Sequence, residues 1–137
     1  TRPEHYTLMS LWGIFKSPLM IGGNMPENDD FTLSLLTNED YMTMHRESYG
    51  AKEIVRNEKN GKGTVIWSAN GKKCKYIAIF NTDTKARKIK ADLTGILMPD
   101  EQYSLYDIWQ KSDVGKCKNS ITAEVEPHGA KLYRIYQ

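Results

Sequence analysis

The stretch that decides the fold is LWGIFKSPLMIGGN, residues 11–24. Up to Phe15 its apolar residues have the spacing of one helix face, and Pro18 ends that pattern because proline disfavours helix at the preceding residue. Residues 19–21 are then apolar without interruption, before two glycines. Such a run predicts a strand covered on both faces, as in a parallel sheet flanked by helices. One such strand needs neighbours, so we expect the first third of the chain to belong to a larger unit.

Helical signals lie on both sides of this predicted strand, which we assign to residues 18–22. Residues 1–4 carry a capping pattern that predicts a helix over 2–15. Residues 31–36 predict a short helical segment. A second capping box, Thr37–Asp40, predicts a helix that extends to about Arg46.

After Gly50 the pattern changes to short β-type runs separated by turn residues. The predicted strands cover 52–57, 64–69, 75–81, 88–93, 103–109, 121–126 and 131–136. Asn60-Gly61 and Asn70-Gly71 predict hairpin turns. The expected fold is therefore mainly β: an antiparallel Greek-key-type β-sandwich over residues 51–137, preceded by a helix–strand–helix unit over residues 1–50.

The composition excludes several classes of protein. With 137 residues, 39% hydrophobic and 26% charged, the chain can bury the core of one ordinary domain. A net charge of +2 is too small to predict binding to nucleic acid or an anionic membrane, and no apolar run approaches the roughly 18 residues of a membrane span. Cys74 and Cys117 match no zinc pattern, and their spacing allows either one disulfide or two free thiols.

Paired carboxylates are the candidate catalytic groups of the helical part. Asp29-Asp30 and Glu39-Asp40 are adjacent residues at helix starts. That position suits capping and the helix dipole better than an acid/base pair that converges across a cleft. No nucleophile or phosphate-loop motif is visible, and the three histidines (His5, His45 and His128) have no ligand spacing. We therefore expect no metal site and no cofactor.

Aromatic and basic residues are the candidate binding groups. A sugar-stacking platform is one interpretation of the three tryptophans, but each lies inside an apolar pattern that favours core packing (Trp12, Trp67 and Trp109). The basic run over residues 85–90 favours a solvated strand face over a surface for an anionic partner.

Residues 11–24 resemble the end of the catalytic barrel in α-galactosidases of glycoside hydrolase family 27, which carry a similar Leu-Trp…Ser/Ala-Pro-Leu segment. Residues 35–39 are similar to the last barrel helix of that family, and residues 106–109 and 125–132 resemble the closing strands of its C-terminal sandwich. The resemblance implies a (β/α)₈ barrel followed by an antiparallel sandwich. Helix 2–15 would be the seventh barrel helix, 18–22 the eighth strand and 30–47 the eighth helical region.

The resemblance also implies a reaction. Family 27 enzymes are retaining hydrolases that remove terminal α-galactosyl residues with two aspartates, whose carboxyl groups lie about 5 Å apart. Both aspartates come from earlier barrel strands, so no residue of this chain is assigned a catalytic role and the chain alone is expected to be inactive. Gly22, Gly23 and Asn24 follow the eighth strand and are candidates for the pocket rim.

The resemblance implies a galactoside or oligosaccharide substrate, bound through the missing barrel, and a secreted, periplasmic or lysosome-like compartment for the parent. We expect no nucleic-acid or membrane partner. The sandwich itself has two competing roles, a carbohydrate-binding or interaction module and a structural domain that covers the barrel, and we favour the second. Apolar faces without barrel partners also predict a homo-oligomer that buries residues 6–21, or a helix folded onto the sandwich.

Overall fold

The computed structural model describes residue 10, residues 38–59 and residues 62–137, without the side chains of residues 58 and 59. Strand 18–22, the helical segment 31–36 and the rim residues Gly22, Gly23 and Asn24 lie outside the described residues, as do His5, Trp12 and the Asp29-Asp30 pair. Within helix 2–15 the described residue is Ser10, which is helical.

One helix and eight strands lie within residues 38–137 of the described part of the chain. They are α1 (Glu39–Glu47), β1 (Tyr49–Lys59), β2 (Lys62–Gly71), β3 (Cys74–Asn81), β4 (Arg87–Asp92), β5 (Tyr103–Asp107), β6 (Ser112–Cys117), β7 (Ser120–Val125) and β8 (Ala130–Tyr136). No helix in these ranges has the length and apolar character needed to cross a membrane.

The strands form two sheets. Six of them pair in the order β1-β2-β3-β8-β5-β6, and β4 pairs with β7 in a separate two-stranded sheet. All of these pairings are antiparallel. The final strand, β8, lies between β3 and β5 and so joins the early hairpins to the later one. This arrangement confirms the predicted mainly β, antiparallel sandwich.

The centre of the six-stranded sheet is buried on both faces, and β3 shows this most clearly. Its residues 76–80 are all buried, with Ile77 and Ile79 on one face and Ala78 and Phe80 on the other. By contrast, β4 and β7 alternate between buried and exposed residues, as expected for strands with one solvated face. The two-stranded sheet therefore covers one face of the large sheet, and α1 packs against the other.

Each face has its own core. The aliphatic core, between the two sheets, contains Ile66, Ile77, Ile79, Ile89, Ala91, Leu93, Leu97, Leu105, Cys117, Ile121, Ala123, Val125, Tyr133 and Ile135. The helix-side core, under α1, contains Tyr41, Met44, Val65, Ala69, Tyr76, Ala78, Phe80, Ile108, Ala130 and Leu132. The two cysteines are free, and Cys74 packs against the helix-side core while Cys117 lies in the aliphatic core. Because the sheet separates them, the disulfide alternative is wrong.

Two local predictions were wrong. The hairpin predicted at Asn70-Gly71 turns two residues later, because Gly71 still pairs with Cys74 in the β2–β3 ladder. The turn therefore consists of Lys72 and Lys73, and Lys73 has a φ of 60°. The predicted strand 103–109 ends at Asp107, and β6 follows it as a strand that the sequence pattern did not indicate.

Candidate functional site at the helix–sandwich interface

Asn38 determines both where α1 begins and where it lies. The side chain is 2% exposed, and its Oδ1 accepts a hydrogen bond from the Tyr41 backbone N–H at 3.0 Å, which caps the helix. Its Nδ2 donates to the backbone carbonyl oxygen of Ile108 at 2.8 Å. One amide therefore satisfies a free helix N–H and a buried carbonyl just after β5.

The other residues of α1 also favour its position on the six-stranded sheet. Tyr41 and Met44 are fully buried and lie three residues apart, so they share the helix face that meets the sheet. Glu39 and Asp40 lie in the first turn, where the helix dipole favours negative charge, and the last turn carries basic residues. The predicted position of the Glu39-Asp40 pair at a helix start is confirmed, although the capping residue is Asn38.

Asp40 has a second partner on the sheet. The Tyr106 hydroxyl donates a hydrogen bond to its Oδ2 at 2.6 Å. This bond, followed by partial burial, raises the pKa of Tyr106 to about 12, because ionisation of the phenol would place two anions side by side. The pair therefore connects the first turn of α1 to β5 by a charge-assisted hydrogen bond.

Trp109 connects α1 to a third part of the chain. Its ring stacks on Tyr41, with 5.0 Å between centroids and 26° between planes. Its Nε1 donates to the Ser10 hydroxyl oxygen at 2.8 Å, and Ser10 is fully buried. We call this set the helix–sandwich interface: Ser10, Asn38, Asp40 and Tyr41 on one side, and Tyr106, Ile108 and Trp109 on the other.

A cation–π arrangement lies beside the interface on the sheet. The Arg134 guanidinium carbon lies 5.1 Å from the Tyr106 ring centroid and 5.0 Å from that of Tyr136. The Tyr136 hydroxyl in turn donates to Asp113 at 2.7 Å, which raises the pKa of Tyr136. The interface is thereby linked to β8 through the Arg134 guanidinium, which lies over both tyrosine rings, and to β6 through the Tyr136–Asp113 hydrogen bond.

Two buried polar side chains have structural partners. Asp107 is buried, which raises the pKa of its carboxyl, and its Oδ1 accepts from the Gln110 backbone N–H at 3.0 Å. Asn81 donates through Nδ2 to the carbonyl oxygens of Val125 at 3.0 Å and Lys85 at 2.8 Å. Both side chains shape turns, and the Asp107 carboxyl group is not part of a carboxylate pair.

The described residues contain no group of three or more histidine, cysteine or acidic side chains that could hold a metal ion. His45 is half-buried on α1 and His128 is exposed between β7 and β8. Trp67 and Trp109 are partly buried against the helix-side core, which confirms core packing for these two tryptophans. In β4 the basic side chains are exposed and Ile89 is buried, which confirms the solvated strand face.

Local sequence signals indicate individual members of the interface but not their contacts. Asn38 and Asp40 belong to the predicted capping box, and Tyr106 and Trp109 to the motif at residues 106–109. Their partners lie 66, 70 and 99 residues away in the chain. Sequence periodicity is a local signal and does not indicate contacts between residues so far apart in the chain.

Comparison with known proteins identifies similar chains. The family described as the alpha galactosidase C-terminal beta sandwich domain matches residues 61–135. Alpha-galactosidase D of Emericella nidulans is 32% identical over 138 residues, which cover 98% of this chain and 20% of that protein.

Solved structures of similar chains share the fold of this chain. A GH27 β-L-arabinopyranosidase from Geobacillus stearothermophilus is 35% identical with a TM-score of 0.87, and the match covers 100% of this chain and 31% of that chain. Alpha-galactosidase I from Mortierella vinacea, at 20% identity and a TM-score of 0.86, shares the fold over 98% of this chain and 36% of its own. This chain therefore spans between a fifth and about a third of the length of these relatives.

Proposed function

Because the chain belongs to the family of the alpha galactosidase C-terminal beta sandwich domain, we propose that it is the accessory region of a retaining glycoside hydrolase that removes terminal α-galactosyl residues. The resemblance to glycoside hydrolase family 27 is confirmed by the family match and by the bacterial family 27 structure. In this proposal residues 1–50 are the end of the catalytic barrel and residues 51–137 are the sandwich domain.

The observation that carries the proposed structural role is the helix–sandwich interface. Three hydrogen bonds and one ring stack connect Ser10 and residues 38–41 to residues 106–109. All of these contacts are specific in direction, and most involve buried groups. Such contacts favour a sandwich that holds neighbouring helices in one position over a module that acts by itself.

We further propose that the chain alone does not hydrolyse glycosides. A retaining mechanism needs two carboxyl groups about 5 Å apart, one as nucleophile and one as acid/base. Among the described residues, Asp107 is the buried carboxylate, and it accepts a hydrogen bond from a backbone N–H in a turn. We propose that catalysis belongs to the barrel of the whole protein, and the assignment of Gly22, Gly23 and Asn24 to the pocket rim stays a prediction.

The names of the relatives suggest the class of substrate. The fungal relative is named as an α-galactosidase and the bacterial structure as a β-L-arabinopyranosidase. β-L-Arabinopyranose has the ring configuration of α-D-galactopyranose without the exocyclic CH₂OH group. We therefore propose a galactoside or oligosaccharide with a terminal sugar of this configuration, with no cofactor.

Two protein samples test this function with aryl α-D-galactopyranoside and aryl β-L-arabinopyranoside. The 137-residue chain should release aryl alcohol at the rate of buffer, and the whole protein from the source gene should hydrolyse at least the galactoside with retention. Turnover by the chain well above buffer would overturn its proposed inactivity. Failure of the whole protein to cleave either glycoside would overturn the proposed reaction.

A carbohydrate-binding module has less support. Among the described aromatic residues, Tyr49 is mostly exposed, at 62%, and the others are at least partly buried. Calorimetric titration of the chain with millimolar galactose should therefore show no binding heat. The predicted homo-oligomer stays a prediction that light scattering can test.

A further inference from the structure

The turn that follows β5 contacts two parts of the chain that are distant in sequence. Trp109 stacks on Tyr41 of α1 and also donates a hydrogen bond to Ser10. We propose that Trp109 is the residue through which the sandwich holds Ser10 in place beside α1, since the same indole bonds to Ser10 and stacks on Tyr41. The inference deepens the proposed function and rests on it, because it names how an accessory domain would hold the end of a barrel.

The chemistry of the contact makes Trp109 more than a packing residue. The indole N–H donates a hydrogen bond to the Ser10 hydroxyl oxygen, and Ser10 is fully buried. Removal of the indole N–H takes a donor from the buried Ser10 hydroxyl. A buried polar group without its partner costs more than the bond itself contributes, because its desolvation is no longer compensated. Tyr41 would in addition lose its stacked ring.

The other contacts of the helix–sandwich interface predict that a change at Trp109 will raise hydrogen exchange by different amounts in different parts of the chain. Asn38 and Asp40 attach the first turn of α1 to Ile108 and Tyr106 by bonds that do not involve Trp109. α1 should therefore keep part of its protection from hydrogen exchange when Trp109 is changed. The β4–β7 sheet belongs to the aliphatic core on the opposite face, so it should be affected least.

Hydrogen exchange measured by mass spectrometry on the full 137-residue chain tests this gradient. The variants are Trp109→Ala, which removes the ring and the donor, and Trp109→Phe, which keeps a ring on Tyr41 but removes the donor. Ile121→Ala is the matched control, since Ile121 is buried in the aliphatic core on β7.

For Trp109→Ala we expect exchange to rise about tenfold or more in peptides that contain Ser10, less in peptides from 39–47, and least in β4 and β7. For Trp109→Phe we expect the rise around Ser10 alone. Ile121→Ala should instead raise exchange in β4 and β7 at least as much as around Ser10.

A uniform rise across the chain in Trp109→Ala, with the same pattern as Ile121→Ala, would overturn the inference. Unchanged exchange around Ser10 in Trp109→Phe would overturn it as well. If Trp109→Ala does not fold, Trp109→Phe and Ser10→Ala still decide the question, because both remove the same hydrogen bond. Exchange in this chain and hydrolysis by the whole protein are separate readouts, so failure of one proposal is distinguishable from failure of the other.

Discussion

The two faces of the six-stranded sheet are buried by different chemistry. On one face, β4 and β7 close a core that consists mostly of isoleucine, leucine, valine and alanine, with one cysteine and one tyrosine. On the other, α1 packs through Tyr41 and Met44, and its position is set by hydrogen bonds of Asn38 and Asp40. Apolar burial is not directional, so the first face contributes stability without specifying one arrangement. The polar contacts of the second face specify where the helix lies.

We call the face of the six-stranded sheet that packs on β4 and β7 the aliphatic face. A single substitution there should have the largest effect on the free energy of unfolding. Ile79→Ala removes a fully buried side chain between the two sheets, and we expect the free energy of unfolding to fall by about 3 kcal/mol or more. Urea denaturation measures the change, with Ile79→Val as a control expected to cost about 1 kcal/mol. A loss below 1 kcal/mol for the alanine variant would mean that this core does not dominate stability.

Among the polar contacts on the sheet face under α1, which we call the helix face, those of Asn38 should have the largest effect on stability. Asn38→Ala removes the helix cap and leaves the Ile108 carbonyl oxygen without its donor, so we expect a loss of about 2 kcal/mol. Asn38→Ser keeps a capping oxygen and should recover part of that loss. Equal stability of the two variants would show that the bond to Ile108, rather than the cap, accounts for the effect.

Two tyrosines of the helix face should give opposite results for the same change. Tyr106→Phe removes the bond to Asp40 and should lower the free energy of unfolding by about 1 kcal/mol. The Tyr41 hydroxyl is buried without a hydrogen-bond partner in the part of the chain that the structure describes. Tyr41→Phe should therefore raise the free energy of unfolding by about 1 kcal/mol. Thermal unfolding of both variants compares them, and two changes of the same sign would contradict this interpretation.

Alkaline pH should weaken the helix face through Tyr106. The pKa of Tyr106 rises from 10.0 to about 12, mainly because its hydroxyl donates to Asp40. A raised pKa means that the stabilisation is complete below pH 10 and is lost as the pH rises towards 12. Stability curves of the wild type and Asp40→Asn should therefore converge over this range. Tyr133, whose pKa burial raises to about 12 on the aliphatic face, titrates in both proteins and does not affect the difference. A gap that stays constant with pH would contradict the assignment.

The sequence was sufficient for most of the sandwich because burial leaves a visible pattern. Residues 76–80 are apolar throughout, and they form the strand that is buried on both faces. The alternation in residues 88–93 and 121–126 likewise predicted strands with one solvated face. β6 was not predicted because residues 112–116 are all exposed and therefore show no period. The turn at Lys72 and Lys73 was missed because Asn70-Gly71 carries the stronger local signal, and no glycine marks Lys73 at positive φ.

The contacts of the helix–sandwich interface could not be predicted from the sequence, for a different reason. A capping box over Thr37–Asp40 was predicted, and the cap is Asn38 within it, but the bond of Asn38 to Ile108 depends on how α1 packs on the sheet. The pairing of Ser10 with Trp109 likewise requires the complete fold, since it joins residues 99 positions apart. Single residues of a contact can carry a local signal, whereas the pairing itself does not.

A double-mutant cycle between Ser10 and Trp109 tests most directly whether the helix face is held by directional contacts. Ser10→Ala, Trp109→Phe and the double variant are compared with the wild type in urea denaturation. Because both single changes remove the same buried hydrogen bond, we predict a coupling energy of about 1 kcal/mol. Additive effects, with a coupling energy below about 0.3 kcal/mol, would contradict the account.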